Sequence, residues 1–167
     1  MFTPTGNMTA PRGQHTATLL TDGRVLIAGG SAANESILRS TEIYDSDTGT
    51  FRAAASMNAA RRMHTATLLP DDRVLIVGGY GAGGALASAE LFDPRTGTFT
   101  ETGSLSAARA GHTAIFNNAP VTVFLTVFAA NLLAQKHDTT LPKPPPVSQA
   151  TWSAPHAIPQ LFRVLLP

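Results

Sequence analysis

His15-Thr16-Ala17-Thr18-Leu19-Leu20-Thr21-Asp22-Gly23-Arg24-Val25-Leu26-Ile27-Ala28-Gly29-Gly30 is written a second time as His64-Thr65-Ala66-Thr67-Leu68-Leu69-Pro70-Asp71-Asp72-Arg73-Val74-Leu75-Ile76-Val77-Gly78-Gly79. A third opening follows at His112-Thr113-Ala114-Ile115-Phe116. The register holds beyond the glycines: Glu42-Ile43-Tyr44-Asp45 returns as Glu90-Leu91-Phe92-Asp93, and Thr48-Gly49-Thr50-Phe51 as Thr96-Gly97-Thr98-Phe99. A unit of about 48 residues repeated in register marks an array in which no unit buries its apolar faces alone.

Each unit reads as four short strands. His15 to Leu20 alternates threonine with apolar residues and stops at Thr21-Asp22-Gly23, a hairpin signal that asks for positive φ. Asp71-Asp72 holds that turn in the second copy, tolerably, because aspartate visits left-handed geometry more readily than most residues. Arg24 to Ile27 is apolar after its arginine, as for a strand covered on both faces, and ends at a glycine pair suited to a sharp bend or close approach. A variable loop follows, 31–40 in one copy and 80–88 in the other. Strand three is Thr41 to Tyr44, and strand four runs from Thr50 toward Met57. Four strands joined by short connections make the blade of a β-propeller.

The expected organisation is an all-β partial propeller with two complete blades, 9–57 and 58–105, and fragments on either side. Phe2 and Met8 share the spacing of Phe51 and Met57, so 2–8 reads as a fourth-strand remnant. Residues 106–116 open a third blade. The repeat region thus spans 1–116, and 117–167 reads as a degenerate apolar segment and an irregular proline-rich tail. Asn117-Asn118 suits a hairpin turn and Val121 to Leu125 a degenerate second strand. From His137 the density of proline speaks for extended or disordered chain, with Leu161 to Leu166 as a short segment able to dock.

The glycine pair with one spaced aromatic in strand three and another in strand four, found twice in register, resembles the kelch repeat in its bacterial form, over residues 2 to 116. Kelch propellers usually carry five to seven blades, so the resemblance implies a piece of a longer propeller. Three outcomes stand open: chains assembling head to tail into one ring, an open piece with exposed edges, or a truncated gene product.

Composition excludes more than it assigns. Twelve Lys plus Arg balance eleven Asp plus Glu, so no nucleic-acid or membrane-surface footprint appears in bulk charge. Lys136 and Lys143 apart, the basic residues are all arginine, the side chain suited to forked pairing with carboxylates. Cysteine is absent, which excludes disulfides, thiolate metal sites and a cysteine nucleophile within the sequence. The start lacks a basic and apolar leader, and the longest apolar stretch, 119–134, falls short of the roughly 20 residues of a spanning helix. Compartment stays open, although relatives implied by the resemblance are often exported.

His15, His64 and His112 occupy one position in three copies, which favours a blade-building role over a ring of metal ligands. Glu42 and Glu90 read as partners of backbone or of a repeat arginine. Asp45-Ser46-Asp47-Thr48-Gly49 has the look of a calcium loop, but Arg95 replaces its second carboxylate in the other copy, so a turn explains it better. Gly81-Ala82-Gly83-Gly84 matches a phosphate loop in composition only.

The ligand-binding candidates are Arg12, Arg61 and Arg109, each three residues before the repeat histidine, with Arg62 beside them; the alternative for this row is ion pairing inside the blade. Asn34, Glu35, Arg39 and Tyr80 join them because they mark where the two variable loops diverge. The expected function is a non-enzymatic module that binds a protein, an acidic peptide or a glycan through these loops, with no cofactor, metal or catalytic residue. The alternatives are a remnant of a kelch enzyme, either resembling the sialic-acid isomerases or the copper oxidases, or a gene fragment without function. The copper type uses a cysteine-crosslinked tyrosine, for which this sequence holds no cysteine.

Overall fold

The structure, a computed structural model, describes residues 4–117 and 122–126. The first unit forms one antiparallel sheet in the order β1 (Thr16–Leu19), β2 (Val25–Ala28), β3 (Thr41–Asp45) and β4 (Thr50–Ala54). The second repeats it as β5 (Thr65–Leu68), β6 (Val74–Val77), β9 (Ser88–Asp93) and β10 (Thr98–Ser104). Between β6 and β9 the glycine-rich loop makes a hairpin of its own, β7 (Tyr80–Gly81) with β8 (Gly84–Ala85). The sequence marked this stretch as a variable loop; Ala82-Gly83 make the turn, and Gly84, at a φ of 114°, opens the returning strand.

A third antiparallel pair, β11 (Thr113–Asn117) with β12 (Thr122–Thr126), follows in register Asn117 to Thr122. Paired strand therefore continues past residue 116, the boundary drawn from the fading motif. At the other end, residues 4–8 form no strand. They run beside the first sheet, where the Gly6 N–H donates to the Gly49 carbonyl at 2.9 Å and the Thr5 and Tyr44 hydroxyls meet at 2.8 Å. Phe2 and the tail from 127 onward, with its proline run and the 161–166 segment, lie outside the described residues.

The turns explain themselves. Leu20 and Arg24 close the β1–β2 hairpin around Thr21-Asp22-Gly23, with Gly23 at a φ of 85°, and Asp72 takes the same slot at 71°. Asp45 Oδ1 accepts the amides of Asp47 and Thr48, so the supposed calcium loop is an Asx turn.

The core lies between sheets rather than inside either. Leu20, Leu26, Ala28, Ile43 and Met57 on one face of the first sheet pack against Val74, Ile76 and Phe92 of the second, flanked by Ala66, Leu68 and Phe99. Strand alternation sorts them: Leu26 and Ala28 face forward, while Val74 and Ile76, which match Val25 and Ile27, face back. Each fully covered side chain of this size is worth about 1.5–3 kcal/mol. That apolar seam is what makes two marginal sheets one folded body.

Close backbone approach completes the seam and explains the glycine pairs. The Gly30 N–H donates to Arg61 O at 2.9 Å and the Gly79 N–H to Arg109 O at 2.8 Å, so each pair receives the loop that leads into the next sheet. A Cβ on Gly29 would overlap the Arg61 carbonyl, and one on Gly78 would lie 2.6 Å from the Arg109 carbonyl. Both glycines also sit near a φ of 62°.

Candidate functional site

Arg12 and Arg61 are turned inward. Arg61 is wholly buried; its guanidinium donates to the carbonyls of Gly78 at 2.7 Å and Ser88 at 3.1 Å, to Ser88 Oγ at 3.2 Å and to Glu90 Oε1 at 2.7 Å. Arg12 repeats the pattern on Gly29, Ser40 and Glu42, the last at 2.5 Å. The carboxylates are saturated from the other side: Thr9 N–H donates to Glu42 Oε2, and the amides of Asn58 and Ala59 donate to Glu90. Burial alone would raise the Glu42 pKa, but the Thr9 amide and the Arg12 charge together hold it below the ordinary range. With their charge paired and both terminal nitrogens bonded inside the sheet, and only Nε of each left without a partner, Arg12 and Arg61 are corrected from ligand contacts to clamps. Each locks the entering loop onto the third strand of its own sheet.

The histidines also work between sheets. His64 Nε2 lies 2.9 Å from Thr16 Oγ1, and His112 Nε2 lies 3.1 Å from Thr65 Oγ1, so each imidazole reaches back to the preceding inner strand. Nδ1 of both rings is buried without a partner. Placing the proton on Nε2 leaves only an unused acceptor there, the cheaper orphan. Burial first, and then the nearby Arg61 charge, push His64 down to about 3; burial and Arg109 push His112 down to about 4. Both rings are neutral in the folded chain at neutral pH.

The remaining candidates meet at one end of the sheets. Leu38 O accepts the Arg61 N–H at 3.1 Å, and Arg62 exchanges two backbone bonds with Tyr80 at 3.0 and 2.8 Å. This ladder ties the 31–40 loop, the inter-sheet loop and the β7–β8 hairpin together. Arg39 is exposed, Tyr80 is 43% exposed, and half-buried Arg62 reaches Gln14 Oε1 at 3.2 Å. Asn34 and Glu35 are exposed at the tip of their loop, Asn34 Oδ1 accepting from Ser36 and Glu35 holding a φ of 63°. Arg109 is half-buried and donates to Ala107 O at 3.3 Å, with no carboxylate partner among the described residues.

Gln14 belongs to this face and was missed by sequence reasoning. It precedes the repeat histidine where Met63 and Gly111 stand in the other copies, so divergence between copies was its available signal. All three take left-handed backbone, at 58°, 53° and 64°, and a bond from Met63 N–H to Gln14 O at 3.1 Å is followed by one from Gly111 N–H to Met63 O at 2.9 Å.

A cavity of about 210 Å3 opens between the sheets, lined by Ala53, Ala54, Ala55, Phe92, Pro94 and Gly97. It is smaller than the roughly 300 Å3 at which small-molecule sites begin. Among the described residues no three His, Cys, Asp or Glu side chains converge to hold a metal ion, and no helix is long and apolar enough to cross a membrane.

The kelch motif matches residues 12–58 and 61–106, more than half of the chain. No curated protein matches it. Among solved structures it is similar to a novel fungal alcohol oxidase with catalytic diversity among the AA5 family, in complex with copper. The identity is 21%, the TM-score 0.55, and the match covers 63% of this chain and 25% of that one. The chain thus spans about a quarter of the oxidase's length, and the likeness speaks to fold alone. Motif, four-stranded sheets and inter-sheet glycine contacts agree: this chain belongs to the kelch-motif family.

Proposed function

We propose that the chain is a non-enzymatic kelch-type interaction module which binds a carboxylate-bearing protein segment or glycan through its loop face. One observation supports this reading above others. The two loops that differ between repeats are bonded to the same inter-sheet loop, with Arg39, Arg62 and Tyr80 on the side so formed. The arginines shared by the first two repeats are spent internally, whereas these residues keep donors and an aromatic surface facing outward. Arginine forks suit carboxylates, and a tyrosine with its ring exposed suits a sugar face or peptide. The oxidase likeness adds no activity to this reading.

The test is calorimetric titration of the full chain with an acidic peptide and with a uronic-acid oligosaccharide. Tyr80→Ala and the pair Arg39→Ala with Arg62→Ala should each weaken binding by about tenfold or more, the loss of one good contact. Affinity for the wild-type chain should fall as salt rises. Unchanged affinity in both variants, or no binding of either probe, sinks the loop-face reading.

A further inference from the structure

The back face of the first sheet repeats, residue for residue, a face that the second sheet keeps covered. Ala17, Leu19, Val25, Ile27, Tyr44 and Phe51 stand where Ala66, Leu68, Val74, Ile76, Phe92 and Phe99 stand in the second copy. In the second sheet Val74, Ile76 and Phe92 are buried, and Ala66, Leu68 and Phe99 half-buried, against the forward face of the first. In the first sheet Ile27 stays buried, but Leu19 is 63% exposed, Ala17 is exposed, and Val25, Tyr44 and Phe51 are half-covered. Residues 5–9 run beside the outer strands, with Thr5 bonded to Tyr44, Gly6 to Gly49 and Thr9 to Glu42. The open part is the inner half, along β1.

Continuity with the chain's own interface says what fits there. β1, β5 and β11 lie side by side, so the same step of inner strand against inner strand is taken twice within one chain. The step ends on β11–β12, an inner strand pair with no outer pair beside it among the described residues. An inner pair is what the open half of the first sheet lacks.

We propose that the back face of the first sheet is an interface for a second copy of this chain, whose β11–β12 end seats on it head to tail as the first sheet seats on the second. Such a contact uses different surfaces on the two partners, and its repetition closes a ring when the rotation allows. An exposed leucine on a flat apolar sheet face is otherwise a standing aggregation hazard.

The experiment measures mass against concentration by sedimentation, using the full chain and Leu19→Glu. The wild type should show mass rising above the monomer with concentration. A carboxylate placed in an apolar contact should weaken association by about a hundredfold. The variant's circular dichroism should stay unchanged, because position 19 is exposed in the isolated chain; Ala17→Glu should reproduce the result.

Mixing distinguishes the geometry. Tagged Leu19→Glu still carries an intact β11–β12 end, so it should retain untagged wild type, whereas a face-to-face contact would leave it unable to bind. A wild type that stays monomeric overturns the proposal and leaves the face to residues 127–167 or to another kelch sheet. So does a Leu19→Glu chain that associates like the wild type, or one that retains no wild type.

Discussion

The two four-stranded sheets are near copies in sequence and differ in what lies behind them. Val74 in the second is fully covered while its counterpart Val25 is half-covered, and Leu68 is packed against the core while Leu19 is 63% exposed. Yet the Arg12–Glu42 and Arg61–Glu90 clamps are nearly identical in geometry and burial. The difference teaches which features belong to a unit and which to its neighbour. Ion pair, turn and strand pairing are made within a repeat, whereas apolar burial is made between repeats.

The clamps offer the largest effect with which to break this comparison. Glu90→Ala leaves a buried guanidinium without its charge partner and should cost about 3–5 kcal/mol, read from urea unfolding. Glu42→Ala should cost as much, since its clamp is equally buried. Replacing Arg61 and Glu90 together with methionine should recover a large part of the loss. If the second sheet tolerates Glu90→Ala within about 1 kcal/mol, the clamp is not structural.

The glycine pairs come next. Gly29→Ala meets the Arg61 carbonyl and carries a strained left-handed backbone, so a loss of roughly 2–4 kcal/mol in thermal or urea unfolding is expected. Gly23→Ala has open space around its Cβ and only the backbone strain, about 1 kcal/mol. Equal losses at the two positions would refute the close-approach account.

Apolar truncation then separates the sheets. Leu68→Ala should cost about 2 kcal/mol and Leu19→Ala under about 0.5 kcal/mol when unfolding is measured on dilute monomer. A larger cost at Leu19 that grows with protein concentration would instead report association through that face.

Acid titration gives a graded contrast, spread over several pH units. His64 and His112 are neutral when folded, while an unfolded histidine protonates near 6.5, so the unfolded chain binds more protons below that value. Stability should be complete above pH 6.5 and fall by about 1.4 kcal/mol per pH unit for each ring, down to about 4 for His112 and about 3 for His64. His64→Gln, compared with wild type across pH 7 to 4.5, should flatten that slope. An unchanged slope means that the ring is not held neutral.

Much of the fold was legible because its signals are local. Asp-Gly at 22–23, the apolar run of Val25 to Ala28 and the aromatic at 44 each carry their own physical instruction, and their repetition removed the ambiguity of any single one. The candidate site was less legible. Arg12, Arg61 and Arg109 look alike along the chain, but whether a guanidinium points to solvent or into its sheet depends on a carboxylate some 30 residues away. Gln14 and the β7–β8 hairpin were invisible for a related reason: each owes its place to a backbone bond or side chain from a different segment.

By itself the sequence determined the repeating four-stranded unit, its turns and the kelch family, since strand period, turn chemistry and glycine placement act over a few residues. Tertiary structure alone decided that the repeat histidines clasp threonines of the preceding sheet, that two of the arginines are clamps, and that one copy of an apolar face is more deeply covered than the other. Those outcomes depend on which surfaces meet across the seam, and burial is a property of the pair rather than of either strand.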